Sequence, residues 1–113
     1  MPADVVDLAH LARYTGGDAA LNAEILRLFD GQASDLVVQL KSILEARDAK
    51  SWKMAIHTLK GAARGIGAFG LGDAAAAAEP IDPADTNVAS AALETLEAKT
   101  CQVHDFIQAY LAA

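Results

Sequence analysis

Between positions 52 and 66 the apolar residues fall at Trp52, Ala55, Ile56, Leu59, Ala63 and Ile66. Steps of three and four bring these residues onto one face only if the segment is a helix. At about 100° per residue, His57 then points roughly 150° away from the centre of that stripe. Lys53, Lys60, Gly61 and Arg64 fall on the same outer side. The pattern predicts a helix over 49–66 that buries a tryptophan-containing stripe and presents a histidine to water.

The rest of the chain reads the same way. Val5, Leu8, Leu11 and Ala12 predict a short helix over 4–14, ended by Thr15-Gly16-Gly17, where glycine can turn left-handed. Asp18 is placed to cap a second helix over 19–46, whose buried face is expected to carry Leu21, Ile25, Leu28, Phe29, Leu36, Val37, Leu40, Ile43 and Leu44. Gly31 interrupts it and is expected to mark a bend or a close helix contact. Arg47-Asp48 forms a tight link, with Asp48 capping the helix of His57. Gly65, Gly67, Gly70 and Gly72 are expected to loosen the chain into a turn. A fourth helix over about 68–79 follows, packing through Phe69, Leu71, Ala74, Ala75 and Ala78 until Pro80, Asp82 and Pro83 break it. Asp85 or Thr86 caps a fifth over about 87–111, marked by Ala89, Leu93, Leu96, Thr100, Val103, Ile107 and Tyr110. No strand-like alternation or hairpin signal occurs. The fold class expected is all-α: an antiparallel bundle of four helices of similar length, with the first short helix as a cap.

A chain of 113 residues, 53% hydrophobic and 21% charged, has the material for one folded domain with a single core. The lone Cys101 rules out an internal disulfide and suits a reducing compartment. The start lacks the basic, apolar and small-residue order of a secretory signal, and no apolar run approaches the ~20 residues of a membrane span. A soluble, cytoplasmic, monomeric protein is expected, and the opening Met favours a free-standing chain. A net charge of −6 argues against nucleic acid as the main partner. That charge is uneven. Positions 49–72 hold Lys50, Lys53, Lys60 and Arg64 and no acid, while the remaining residues sum to −10. A basic spot surrounds His57 on an acidic chain.

A solvent-facing neutral imidazole can attack an electrophilic phosphorus and hold the group as a phosphoramidate. Lys60, three residues on, can set an ammonium near the phosphoryl oxygens, and Arg64 a second cation. Gly61, four residues on, lies beside His57, where any side chain would obstruct an approaching donor; glycine is otherwise unfavourable inside a helix. On spacing alone, an ordinary solvated helix face is the simpler account of such a histidine.

Positions 57–68 closely resemble the signature of histidine-containing phosphotransfer (HPt) domains: His, any residue, an aliphatic, Lys, Gly, two small residues, three variable positions ending in an aliphatic, then Gly. His57, Leu59, Lys60, Gly61, Ala62, Ala63, Ile66 and Gly67 match it. The short first helix ending in Gly-Gly-Asp, the long second helix and the Arg-Asp-Ala link are similar to the family across nearly the whole chain. The resemblance implies that His57 accepts a phosphoryl group from a phospho-aspartate on a response-regulator receiver domain, or from a hybrid histidine kinase, and passes it to another receiver. Lys60 would steady the phosphoryl group, Gly61 would leave room for the receiver, and the basic spot with Lys53 and Arg64 would dock it. The receiver would supply Mg²⁺ and most of the catalysis, so the chain itself would be a carrier with no cofactor or metal, and not an enzyme. Arg64 stands where the family often has a small or polar residue.

Other readings carry less. Gly65-Ile66-Gly67-Ala68-Phe69-Gly70 fits a dinucleotide fingerprint formally, but a helix precedes it where a strand is required. Cys101 and His104 have the spacing of two metal ligands without a second pair. His10 is expected on the exposed side of the first helix. A sensor-kinase dimerisation helix would carry an acid and a proline where Thr58 and Ala62 stand. The phosphotransfer domain of a chemotaxis-type kinase shares the motif and fold and stays open as an alternative, as does a helical adaptor that binds receivers without carrying phosphate.

Overall fold

Each of the first three helices begins where an aspartate can serve its free backbone N–H groups. In the computed structural model, which describes residues 5–113, α1 spans Leu8–Thr15, α2 Ala19–Ala46, α3 Ala49–Ile66, α4 Phe69–Ala78 and α5 Thr86–Ala112. Asp7, Asp18 and Asp48 are extended and accept from the N–H of His10, Leu21 and Ser51 at 3.2, 3.1 and 3.1 Å. Ser51 Oγ also donates to Asp48 at 2.7 Å, and these bonds hold the Asp48 carboxyl below its ordinary pKa. The helices stop at left-handed residues: Gly16, Arg47 and Gly67 at φ 65°, 54° and 85°. α2 and α3 therefore occupy the ranges their sequence predicts.

Other expectations change. α1 starts at Leu8 rather than at position 4, which lies outside the described residues, because Asp7 is its cap. The residues before it bend across the α3–α4 turn: Asp7 N donates to Gly67 O at 2.9 Å, and Val6 is fully buried. A Cβ at Gly67 would meet Asp7 O at 2.6 Å, so its glycine serves this crossing as well as the left-handed turn. Gly65, Gly70 and Gly72 do not loosen the chain; they are helical. Gly72 is buried beneath the stem of Arg64, whose Cγ an added Cβ would meet at 2.8 Å. Gly31 marks no close helix contact, since a Cβ there would meet nothing within 4 Å. Asp85 stands at the start of α5 without a side-chain cap bond; Asp82 instead accepts from Ala84 N at 2.9 Å.

α2 packs on α3 and α5, and α4 packs on α3 and α5, closing a ring of four helices, with α1 against α2 and α3. The helices are not of similar length: they run 28, 18, 10 and 27 residues. At 1.5 Å per residue α2 is about 42 Å long, matching the 43 Å long axis of the molecule. The core takes Leu26, Phe29, Ala33, Leu36 and Leu40 from α2, the whole predicted stripe of α3, Leu71, Ala75 and Ala78 from α4, and Ala89, Leu93, Leu96, Val103 and Ile107 from α5. Leu21 and Leu28, expected inside, are 39% and 68% exposed. Phe69, expected to pack, is 41% exposed. The buried Thr15 hydroxyl meets Asn22 Oδ1 at 2.6 Å and ties α1 to α2. No described helix is long and apolar enough to cross a membrane, and the described residues contain no strand.

Candidate functional site

Trp52 sets the geometry of the site. Its ring is fully buried, and Nε1 donates to the carbonyl oxygen of Ala78 at 3.1 Å, fastening the first turns of α3 to the last residue of α4. Leaving that buried indole N–H unpaired would cost about 1–3 kcal/mol, while the Ala78 carbonyl also accepts from Ile81 N at 3.1 Å. The next residue, Glu79, continues in helical conformation and returns its carboxylate to the face of α3. There Oε1 lies 2.8 Å from His57 Nδ1 and Oε2 lies 3.1 Å from Lys60 Nζ. One carboxylate thus spans the histidine and the lysine.

The Glu79 carboxyl is held below its ordinary pKa, first by the hydrogen bond from His57 and then by that from Lys60, against an opposing effect of burial. An ionised carboxylate only accepts, so Nδ1 carries the ring hydrogen. In the neutral ring the lone pair is then on Nε2. The His57 side chain is 71% exposed, whereas those of Glu79 and Lys60 are 18% and 19% exposed. The arrangement is an imidazole with one nitrogen anchored and the other available to an incoming electrophile.

The remaining predicted site residues divide. Lys53 is exposed, one helical turn before His57, and with Lys50, Met54, Thr58, His57 and Glu79 it lines a cavity of about 350 Å³. Gly61 is exposed, and a Cβ there would meet nothing within 4 Å, so nothing inside the fold requires a glycine. Arg64 is not brought to His57. It lies about 10 Å along the helix axis, with its stem over Gly72 and Nη2 4.0 Å from Asp73 Oδ1. Both of those side chains are largely exposed, so that pair contributes little. Lys60 is not a free cation beside the histidine, because Glu79 engages it.

The sequence reading missed Glu79, 22 residues beyond His57. Its only sequence signal was position: it is one of the first acids after the basic stretch, at the end of an alanine-rich helix. The reading also missed exposed apolar side chains around the histidine. Met54 and Val38 are 61% and 62% exposed and flank a second cavity, of about 540 Å³, between α2 and α3. Leu28 is exposed further along α2 beside a smaller cavity that Ala62 also lines.

The other histidines have different surroundings. His10 is half-buried rather than free, edge-on to Tyr14 and Phe69 at centroid distances of 5.5 and 5.0 Å. His104 and Cys101 both lie on α5, but His104 Nδ1 meets both Asp30 oxygens, at 2.8 and 3.0 Å. No group of three or more His, Cys, Asp or Glu able to hold a metal occurs among the described residues.

Comparison with known proteins gives one match. The family model of the Hpt domain matches residues 24–113, which takes in α3, the His57–Glu79–Lys60 cluster and all but the first turn and a half of α2. Neither the curated proteins nor the solved structures contain a match.

Proposed function

The chain belongs to the Hpt domain family, whose members carry out histidine phosphotransfer in phosphorelays, and from that premise we propose that His57 is the phosphoacceptor. The observation that carries the proposal is the exposed His57 ring with Nδ1 anchored on Glu79. Nε2 attacks the phosphorus of a receiver aspartyl phosphate. The N–P bond forms, the P–O bond to the aspartate breaks, and the aspartate leaves as a carboxylate with the bonding pair. The hydrogen stays on Nδ1, so the ring becomes cationic, and the Glu79 carboxylate lies against it. No proton is released, and the same path run backwards delivers the group to a second receiver.

The partners on this reading are response-regulator receiver domains and a hybrid histidine kinase. The receiver brings the Mg²⁺ and most of the catalysis, and the chain acts as a monomeric cytoplasmic carrier rather than an enzyme. We read residues 1–113 as a single such domain with α2 to α5 in antiparallel order, which the two-residue links at 47–48 and 67–68 favour. The docking face comprises Lys53, Gly61 and Arg64, together with the exposed apolar side chains of Val38, Met54 and Leu28. Gly61 supports this assignment most clearly, because its absent side chain answers to no neighbour within the chain.

The test is transfer from a phosphorylated receiver. Acid-labile, alkali-stable label is expected on the wild-type chain and none on His57→Gln. Label that persists in His57→Gln, with the variant still helical, would place the acceptor elsewhere. A receiver-binding adaptor would bind the receiver and take no label at all.

A further inference from the structure

Resting on that reading, we propose that Lys50, together with Lys53, forms a basic docking flank on the α4 side of His57, which takes a carboxylate-bearing edge of the receiver and sets how fast it arrives. Met54 and Thr58 form a ridge between two unlike cavities. On the α2 side the wall includes Leu36, Val38 and Ile43. On the α4 side, in the cavity of about 350 Å³, it comprises Lys50, Lys53, His57 and Glu79. Apolar and charged contacts to one partner are thus separated on either side of the histidine.

The charge on the α4 side is free. Of the four cations in positions 49–72, Lys60 is held by Glu79 and Arg64 has Asp73 4.0 Å away. Lys50 and Lys53 are exposed and have no ion pair among the described residues. Asp48 offsets part of the Lys50 charge, but its carboxylate is occupied as the cap of α3, accepting from Ser51 N and Oγ at 3.1 and 2.7 Å. Lys50 also stands where the helix gains nothing from it. It is the second residue of α3, and the first turn of a helix favours acids, because the free backbone N–H groups leave partial positive charge there. α3 has no acid in that turn.

Position ties the flank to the site. Lys50 and Lys53, seven and four residues before His57, lie within about 40° of it around the helix and about 10 and 6 Å back along the axis. An interface of ordinary size, about 800 Å² on each partner, reaches beyond that distance. Charge complementarity names the occupant. The receiver's reacting group is an aspartate, and the Mg²⁺ it brings needs oxygen ligands, carboxylates among them. Such a surface is attracted to two free ammonium groups, and attraction of this kind speeds encounter more than it slows departure.

The test uses the full chain and a receiver that phosphorylates it. Association and dissociation are followed by stopped flow at ionic strengths of about 0.01 M and about 1 M, where charges act over about 30 Å and about 3 Å. Lys50→Glu/Lys53→Glu is expected to associate about tenfold more slowly at low salt, to approach the wild-type rate at high salt, and to dissociate as the wild type does. Lys50→Glu alone should associate severalfold more slowly while unfolding in urea no earlier than the wild type. Lys99→Glu makes the same charge change on α5 and should associate as the wild type does. Association untouched by the double reversal, or slowed as much by Lys99→Glu as by Lys50→Glu, would overturn the flank and leave His57 as the acceptor. Earlier unfolding of Lys50→Glu would also overturn it, by making the lysine a structural residue. Label surviving in His57→Gln would overturn the underlying reading and this inference together.

Discussion

Gly61→Ala should make the protein more stable and less competent. Glycine inside a helix costs about 0.8–1.0 kcal/mol relative to alanine. Gly61 lies near the middle of α3, and an added Cβ would meet nothing within 4 Å. The substitution therefore recovers that helix propensity with no steric penalty. A gain of about 1 kcal/mol corresponds to a rise in Tm of about 4 °C for a chain of this size. The same methyl group stands about 6 Å along the helix axis from His57, on the surface a receiver must approach. Transfer should slow severalfold for Gly61→Ala, and more than tenfold for Gly61→Gln if crowding costs more than about 1.4 kcal/mol in the encounter complex. Chemical denaturation and a receiver phosphotransfer time course on the same preparations read the two quantities. Gly70→Ala, in open space on α4, controls for the substitution itself and should leave transfer unchanged. If Gly61→Ala and Gly61→Gln both transfer at the wild-type rate, the glycine has no clearance role. If Gly61→Ala destabilises the fold, the premise that nothing inside the molecule requires glycine fails.

Three further outcomes are expected. Gly67→Ala should destabilise the fold by more than about 2 kcal/mol, since alanine resists the left-handed conformation and its Cβ would lie 2.6 Å from Asp7 O; a denaturation midpoint equal to the wild type would refute the crossing described. Trp52→Phe should cost about 0.5–1.5 kcal/mol for the lost hydrogen bond to the Ala78 carbonyl, which keeps Ile81 N as a donor, and more for the space the smaller ring leaves, and should slow transfer by freeing the end of α4 that places Glu79; wild-type stability and transfer would count against that coupling. The pKa of His104 is raised by its hydrogen bond to Asp30, then by the charges of Asp30 and Asp105. The folded state therefore holds this proton more tightly than the unfolded chain. The resulting stability is fully present below the unfolded value near 6.5 and is lost as pH rises through the higher folded value. Urea midpoints at pH 6 and pH 8 should differ more for wild type than for His104→Gln, and an equal difference would refute the pairing.

Where the sequence could be read well, the reason is local. The ends of α2 and α3 are fixed by Asp18, Arg47, Asp48 and Gly67, whose capping depends on residues a few positions away. All six residues of the α3 stripe are buried because a helix with one apolar face has one way to face a core. In α2 the apolar residues extend around more of the helix. Period alone could not tell that Leu26 is covered and Leu28 is left open, which depends on where α3 and α5 pack. The candidate site divides in the same way. The outward His57 followed from spacing. Lys60 lies only roughly 90° from the stripe centre, at the flank where α4 packs, and its pairing with Glu79 required knowing where α4 ends. That end is fixed by a bond from Trp52 to Ala78, 26 residues apart, which no local pattern encodes. The glycines show the same limit: Gly61, Gly67 and Gly72 look alike in sequence, yet one faces open space, one a backbone carbonyl and one an arginine stem.

On the proposed mechanism His57 receives the phosphoryl group on Nε2 while Glu79 holds Nδ1. ¹⁵N and ³¹P NMR of the chain labelled in its histidine rings and phosphorylated by a receiver measures this directly. One phosphohistidine is expected, at His57, with phosphorus coupled to Nε2 and a hydrogen retained on Nδ1. Phosphorus on Nδ1, or on His10 or His104, would contradict it.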